Sequence, residues 1–246
     1  MGGVVHSPID IGTELDKSGF YCEEGAIPEP LMDDCRAAVT EILTRYGARP
    51  ISLVQPCKDY PAFAELAGTA QLQDLLPKLS AVGGCVQSGE IYNVIRIVAG
   101  RDEGQRAAFA FHYDATVITA LVPLCIPEGA PEEAGDFICF PNRRSVRRFS
   151  AVNLLDKVFM QNNIARKWYS RLAMRHDPRI KIIRLVPGNI YFFWGYRTYH
   201  ANFTCAPGNL RATLLFHFGD PHAGSYINKL VLRLRQHRVK RALARA

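Results

Sequence analysis

A chain of 246 residues that is 48% hydrophobic and carries a formal net charge of +7 can bury a sizeable core, and one large domain is the expected organisation. No eighteen-residue apolar run occurs, the opening MGGVVHSPIDIG has neither the basic nor the apolar region of a secretory signal, and His6 stands where a myristoylation signal has Ser or Thr. A membrane span, secretion and N-terminal acylation are therefore not expected.

Seven cysteines, odd in number and nowhere spaced Cys-x-x-Cys, argue against a disulfide framework or a zinc knot and fit a reducing, cytoplasmic setting. The charge is divided along the chain: residues 1–140 carry 9 Lys/Arg against 20 Asp/Glu, whereas 141–246 carry 21 against 3. Either one surface meets an anion, or the two halves neutralise each other in the fold.

In chain order, residues 19–22 read as a short strand. A helix follows over about 31–46, with the stripe Leu31, Cys35, Val39, Ile42 and Leu43 and a stop at Gly47. A poorer helical pattern over 61–79 is interrupted by Gly68. Residues 91–98 alternate as a strand, with Tyr92, Val94 and Arg96 on one face and Asn93, Ile95 and Ile97 on the other. Further short strands are expected at 107–114, 116–124, 136–140, 181–186, 189–195 and 211–219, and an acidic, Pro-bearing surface loop at 127–133.

Between them, about 145–178 reads as a basic helical insertion, a candidate to grip an anionic group near a site mouth. The tail 222–246 reads as a basic helix whose stripe Ile227, Leu230, Val231 and Leu234 either packs on the core or lies on an anionic membrane surface. The strands are too many and too short for a parallel sheet with crossover helices. They suit a mainly β fold with flanking helices around a double-stranded β-helix, the cupin-like jelly roll. Residues 1–85 would be its mainly helical support and 86–221 its core.

The chemistry concentrates in two stretches. His112 and Asp114 sit two residues apart on an expected strand, and His200 ends another, 86 residues past Asp114. Two imidazoles and one carboxylate form the facial triad that suits non-haem Fe(II) and leaves three coordination positions for other ligands. A His-x-acid pair alone is expected about 0.65 times by chance in this composition. The conjunction with Arg211, eleven residues past His200, and Thr213 on the same strand face carries the weight.

With that conjunction the chain resembles the Fe(II)/2-oxoglutarate-dependent dioxygenases, its spacing most like the phytanoyl-CoA hydroxylase-like and taurine dioxygenase branches. The segment Gly135-Asp136-Phe137-Ile138-Cys139-Phe140-Pro141-Asn142-Arg143-Arg144 is similar to that family's G-x-L-x-x-x-P-G-S-H strand, with Asn142 and Arg143 in place of Gly and Ser. The resemblance implies that His112, Asp114 and His200 bind the iron and carry catalysis. It implies that Arg211, assisted by Thr213, pairs with the far carboxylate of 2-oxoglutarate, and that a polar residue of 91–98, Tyr92, Asn93 or Arg96, touches the same cosubstrate.

The expected activity is hydroxylation of a small or lipid-linked anionic molecule, with dioxygen as oxidant and succinate as coproduct. A cytoplasmic protein is expected, with peripheral contact on the inner face of a membrane left open. His217 and His222 are not expected to be ligands, since three suffice. Two other readings stay open: a metal-holding jelly roll without turnover, against which a buried Arg211 argues, and a dioxygenase acting on nucleic acid, for which no base-reading motif is present.

Overall fold

The computed structural model describes residues 6–85, 89–99, 108–144 and 163–220. Its N-terminal part is helical. In α1 (Pro8–Ser18), Ser7 and Asp10 exchange hydrogen bonds as a capping box, which satisfies donors that the first turn leaves open. Only Ile11, Gly12 and Leu15 of α1 are buried. Next, α2 (Glu29–Tyr46) runs to Gly47, close to its expected bounds. The weak pattern of 61–79 breaks into α3 (Pro61–Ala67), α4 (Ala70–Gln73) and α5 (Leu75–Val82).

The strands are β1 (Tyr21–Glu23), β2 (Ile51–Val54), β3 (Tyr92–Val98), β4 (Ile118–Cys125), β5 (Phe137–Phe140), β6 (Lys181–Ile183), β7 (Ile190–Phe193), β8 (Tyr199–Asn202) and β9 (Arg211–Phe218). Among the described residues they form two antiparallel sheets, one in the order β1-β7-β4-β9-β3-β2 and one in the order β6-β5-β8. Face to face, the two sheets are the two layers of a jelly roll.

Each sheet face has its own task. The helices cover the outer face of the large sheet, where Leu15, Met32, Val39, Ile42, Phe63, Leu76 and Leu79 pack against Ile95, Ile97, Leu214 and Phe216. Between the sheets, Leu121, Phe137, Cys139, Tyr191 and Phe193 make a second core. On the outer face of the small sheet, Phe140, Tyr199 and Phe203 meet Tyr169 and Ala173 of α7 (Asn163–Met174). A short α6 (Pro131–Ala134) precedes β5. All seven cysteines are free thiols, as the lack of paired spacing implies.

Several expectations change. Of the strand expected at 107–114, the described residues 108–114 form no strand; only His112 pairs, through an isolated bridge to His200. The run read as one strand up to His200 is two elements, because a turn over residues 194–198 separates β7 from β8. No strand is expected from sequence at 51–54, where β2 pairs along β3.

The departure from the G-x-L-x-x-x-P-G-S-H pattern is accommodated rather than disruptive. Asn142 takes the left-handed φ of 49°, which Asn tolerates better than most side chains. Its Nδ2 donates to the Leu15 and Asp16 carbonyls at 2.9 Å each, closing the end of α1. Arg144, just before the basic insertion, is buried. Its guanidinium lies 3.9 Å from the Tyr113 ring centre and 4.2 Å from that of Tyr196, and its Nε donates to the Tyr196 carbonyl. Residues 145–162 of the insertion and the expected tail helix lie outside the described residues, as does His222.

Candidate metal centre

His112 and His200 are locked together through the backbone: each donates its N–H to the other's carbonyl, at 2.9 and 3.0 Å. Asp114 N donates to Gly195 O at 2.9 Å. Thus the segment 110–114 is stapled to the turn after β7 and to β8, and the three candidate side chains converge, with one donor atom each within 4.8 Å of the others.

Hydrogen bonding fixes which atoms are presented. The Nδ1 atoms of His112 and His200 lie 2.8 Å from Ala110 O and 3.1 Å from Thr198 O. A carbonyl only accepts, so each Nδ1 carries the proton and each Nε2 keeps its lone pair. Both Nε2 atoms face Asp114 Oδ1, at 3.6 and 3.7 Å, too far for direct hydrogen bonds. The other carboxylate oxygen, Oδ2, accepts from Thr119 Oγ1 at 2.6 Å. That leaves Oδ1 as the free oxygen of the set.

Burial pushes the His200 imidazole down to about 4, against the pull of Asp114, so it is neutral near pH 7. Asp114 is itself buried, which acts to raise its carboxyl, but His200, His217, His112 and the Thr119 hydroxyl hold it well below the usual carboxylate range. One carboxylate oxygen and two imidazole Nε2 atoms in this arrangement fit a divalent metal of the Fe(II) type.

His217 is not one of the three, as expected from sequence, but it stands behind them. Its Nδ1 is 3.0 Å from Thr119 Oγ1 and 3.7 Å from Asp114 Oδ2. Since Thr119 spends its single proton on Asp114, His217 is the donor to Thr119. Thr119 and His217 carry no motif that sequence reading could have used. Their role follows from register alone, Thr119 on β4 lying opposite His217 on β9.

Gly195 completes the support. A Cβ there would lie 2.6 Å from Thr119 Oγ1 and 2.8 Å from Asp114 Oδ2. Gly195→Ala is therefore expected to push the carboxylate off its position, at a cost of about 1–3 kcal/mol for an overfilled site. Metal affinity should fall by roughly tenfold or more, the scale on which outer supports act. Titration with Fe(II) or Ni(II) checks this, and wild-type affinity in the variant would sink the argument.

From the three ligand candidates a cavity of about 200 Å³ runs between the sheets. Leu121, Phe137 and Leu215 are among its walls, and Arg211 and Thr213 line it as well. Arg211 is 6% exposed. Its Nη1 donates to Gly135 O at 2.6 Å, and its Nε has no hydrogen-bond partner. Burial brings its pKa down to about 10, helped by the charge of Arg96. The nearby Asp136 carboxylate is engaged by Arg184 and by the Leu185 N–H. Gly135 is required twice over: its φ is +75°, and a Cβ would sit 2.8 Å from Arg211 Nη1.

The three expected contributors of β3 part company. Tyr92 and Arg96 line the cleft, with Tyr92 opposite His217 and Arg96 opposite Thr213. Asn93 points the other way, where its side chain holds Gln55 Oε1 at 2.8 Å and the Cys57 N–H at 3.2 Å. Strand alternation makes these placements mutually exclusive, so Asn93 is no part of this cavity.

No family model and no curated protein matches the chain. Solved structures do. EctD from S. alaskensis with bound Fe is 17% identical over 88% of this chain and 79% of its own, with a TM-score of 0.60. HygX from Streptomyces hygroscopicus, with nickel and 2-oxoglutarate bound, is 15% identical over 84% of each chain, with a TM-score of 0.56. A Pseudomonas putida prolyl-4-hydroxylase is 12% identical over 87% of this chain and 98% of its own, with a TM-score of 0.51. At such identities the likeness carries architecture and singles out no branch, phytanoyl-CoA hydroxylase-like or other: the chain has the jelly-roll fold of the iron- and 2-oxoglutarate-dependent dioxygenases.

Proposed function

We infer that the chain is an Fe(II)- and 2-oxoglutarate-dependent dioxygenase that hydroxylates a small or lipid-linked anionic molecule, 2-oxoglutarate being decarboxylated to succinate. The observation that carries this reading is one cavity with two kinds of end. At one end stand two imidazole Nε2 atoms and Asp114 Oδ1; further along is a buried guanidinium with an unpartnered Nε.

His112, Asp114 and His200 would hold the iron. Bound iron would supply the activation of dioxygen, coupled to oxidation of the keto acid. The chain's own residues do the rest. Arg211 would clamp the distal carboxylate through charge-assisted hydrogen bonds, and the Thr213 hydroxyl would add a donor. Leu121, Phe137 and Leu215 line the space between and keep it poor in water. Thr119, backed by His217, holds Asp114 Oδ2 so that Oδ1 stays directed at the metal.

The bound Fe of EctD and the 2-oxoglutarate of HygX support the cofactor part of this reading. Fe(II)-loaded chain incubated with carboxyl-labelled 2-oxoglutarate should release labelled CO2. A metabolite or lipid extract should stimulate that release and yield a product heavier by one oxygen. A chain that keeps its iron yet never consumes 2-oxoglutarate, with or without extract, would instead be a metal-holding jelly roll.

A further inference from the structure

The cavity that holds Arg211 opens into a second, outer chamber of about 540 Å³. Val94, Arg96, His112, Asp114 and His217 belong to the walls of both. A chamber of this size is ample for a small molecule.

On the large sheet, Ser52, Arg96 and Thr213 are direct register partners across β2, β3 and β9, so their side chains share one face, about 5 Å from neighbour to neighbour. The next row along the same strands is Val54, Val94 and Leu215. Hydroxyl, guanidinium and hydroxyl therefore lie beside a strip of aliphatic side chains. Phe111 lines the outer chamber as well.

Arg96 differs from Arg211 in two respects. It is exposed, where Arg211 is buried. It also makes no hydrogen bond or ion pair with any described residue, whereas Arg211 is anchored on Gly135 O. Asp114, the one acid among the described residues of these walls, has its Oδ2 taken by Thr119 and its Oδ1 enclosed by His112 and His200. Among the described residues the outer chamber thus offers a cation without a counter-charge, set next to an apolar strip in which Val54 is 55% exposed.

We propose that Arg96, with Ser52 beside it, is the anchor for the anionic headgroup of the substrate, and that the substrate is amphiphilic, its apolar body lying along Val54, Val94 and Phe111. This rests on the proposed dioxygenase reading and adds to it a recognition residue and a substrate class. A guanidinium takes a carboxylate or a phosphate through paired donors. The adjoining aliphatic row has no polar group to satisfy a second charge, so one charged end and one apolar end are what this wall accepts.

The test uses the whole chain and three probes that share a hexyl chain and differ only in headgroup: hexyl phosphate, heptanoate and hexanol. Calorimetric titration is expected to give one of the two anions roughly tenfold or more tighter binding than hexanol, the scale of one charge-assisted contact. Arg96→Gln should erase that preference and Arg96→Lys restore part of it. Which anion binds more tightly assigns the headgroup as phosphate or carboxylate. Equal binding of the three probes by the wild type, or a preference that survives in Arg96→Gln, overturns the proposal. So does a rise in the 2-oxoglutarate KM of Arg96→Gln as steep as that of an Arg211 variant, because Arg96 would then serve the cosubstrate. A wild type that binds the anions through Arg96 but never turns over 2-oxoglutarate would sink the dioxygenase reading and leave the headgroup site standing.

Discussion

His112→Ala and His200→Ala each give a folded protein that has lost its metal. Three side chains supply every protein ligand in the proposed set, so removing one leaves a two-point site. Loss of a mere outer support costs about 10- to 100-fold in metal affinity, and loss of a ligand should exceed that, abolishing turnover. The effect on stability is expected to be small. His112 is partly exposed, with a side-chain exposure of 36%, and such positions usually change stability by no more than about 0.5 kcal/mol. His200 is buried and would also give up its bond to Thr198 O, so about 1–2 kcal/mol is expected there. Metal titration beside urea unfolding separates the two effects. Wild-type metal affinity in either variant would remove that residue from the set.

Arg211→Ala should keep its iron and lose its hold on 2-oxoglutarate. A charge-assisted contact to a buried carboxylate is worth on the order of 2–3 kcal/mol, or roughly a 30- to 150-fold rise in the cosubstrate KM. Arg211→Met adds a second readout. The guanidinium is buried with its Nε unsatisfied, and replacing a buried, poorly paired charge by an apolar side chain of similar size is often neutral or stabilising. The Met variant should therefore unfold at the same denaturant concentration as the wild type, or a higher one, while needing far more 2-oxoglutarate. An unchanged KM would sink the assignment. A marked loss of stability in Arg211→Met would mean that the guanidinium serves the fold through Gly135.

The metal set was legible because its residues are chemically distinctive and their spacing follows a recognised arrangement. Arg211 and Thr213 were legible for a different reason: an apolar strand with two polar residues at i and i+2 directs both to one face, and β9 does so. The phase of β3 was legible, but which of its two faces meets the cavity was not, and Asn93 lies on the face turned to Gln55 and Cys57. Tyr92 and Asn93 are neighbours on β3 and must point oppositely.

The helix α1 escaped notice because only Ile11, Gly12 and Leu15 turn inward, too few for a stripe, although Ser7 and Asp10 already spell a capping box. The supports of the site were beyond sequence reading. Thr119 is one hydroxyl in an apolar run, and Gly195 one glycine in an aromatic one; each acquires its meaning only where β4, β9 and the turn after β7 meet.

The alternation of β9 also bears on how this protein can change. Arg211, Thr213, Leu215 and His217 face the cleft, while Ala212, Leu214, Phe216 and Phe218 belong to the core under the helices. Substitutions on one face leave the other nearly untouched, so chemistry and scaffold can drift independently at these eight positions. Insertion or deletion of a single residue has no such freedom. A slip of one would turn the guanidinium, the hydroxyl and the imidazole into the apolar helical layer and put phenyl rings into the cleft. Length variation in relatives of this chain should therefore collect in the connections around β9 and spare the strand itself.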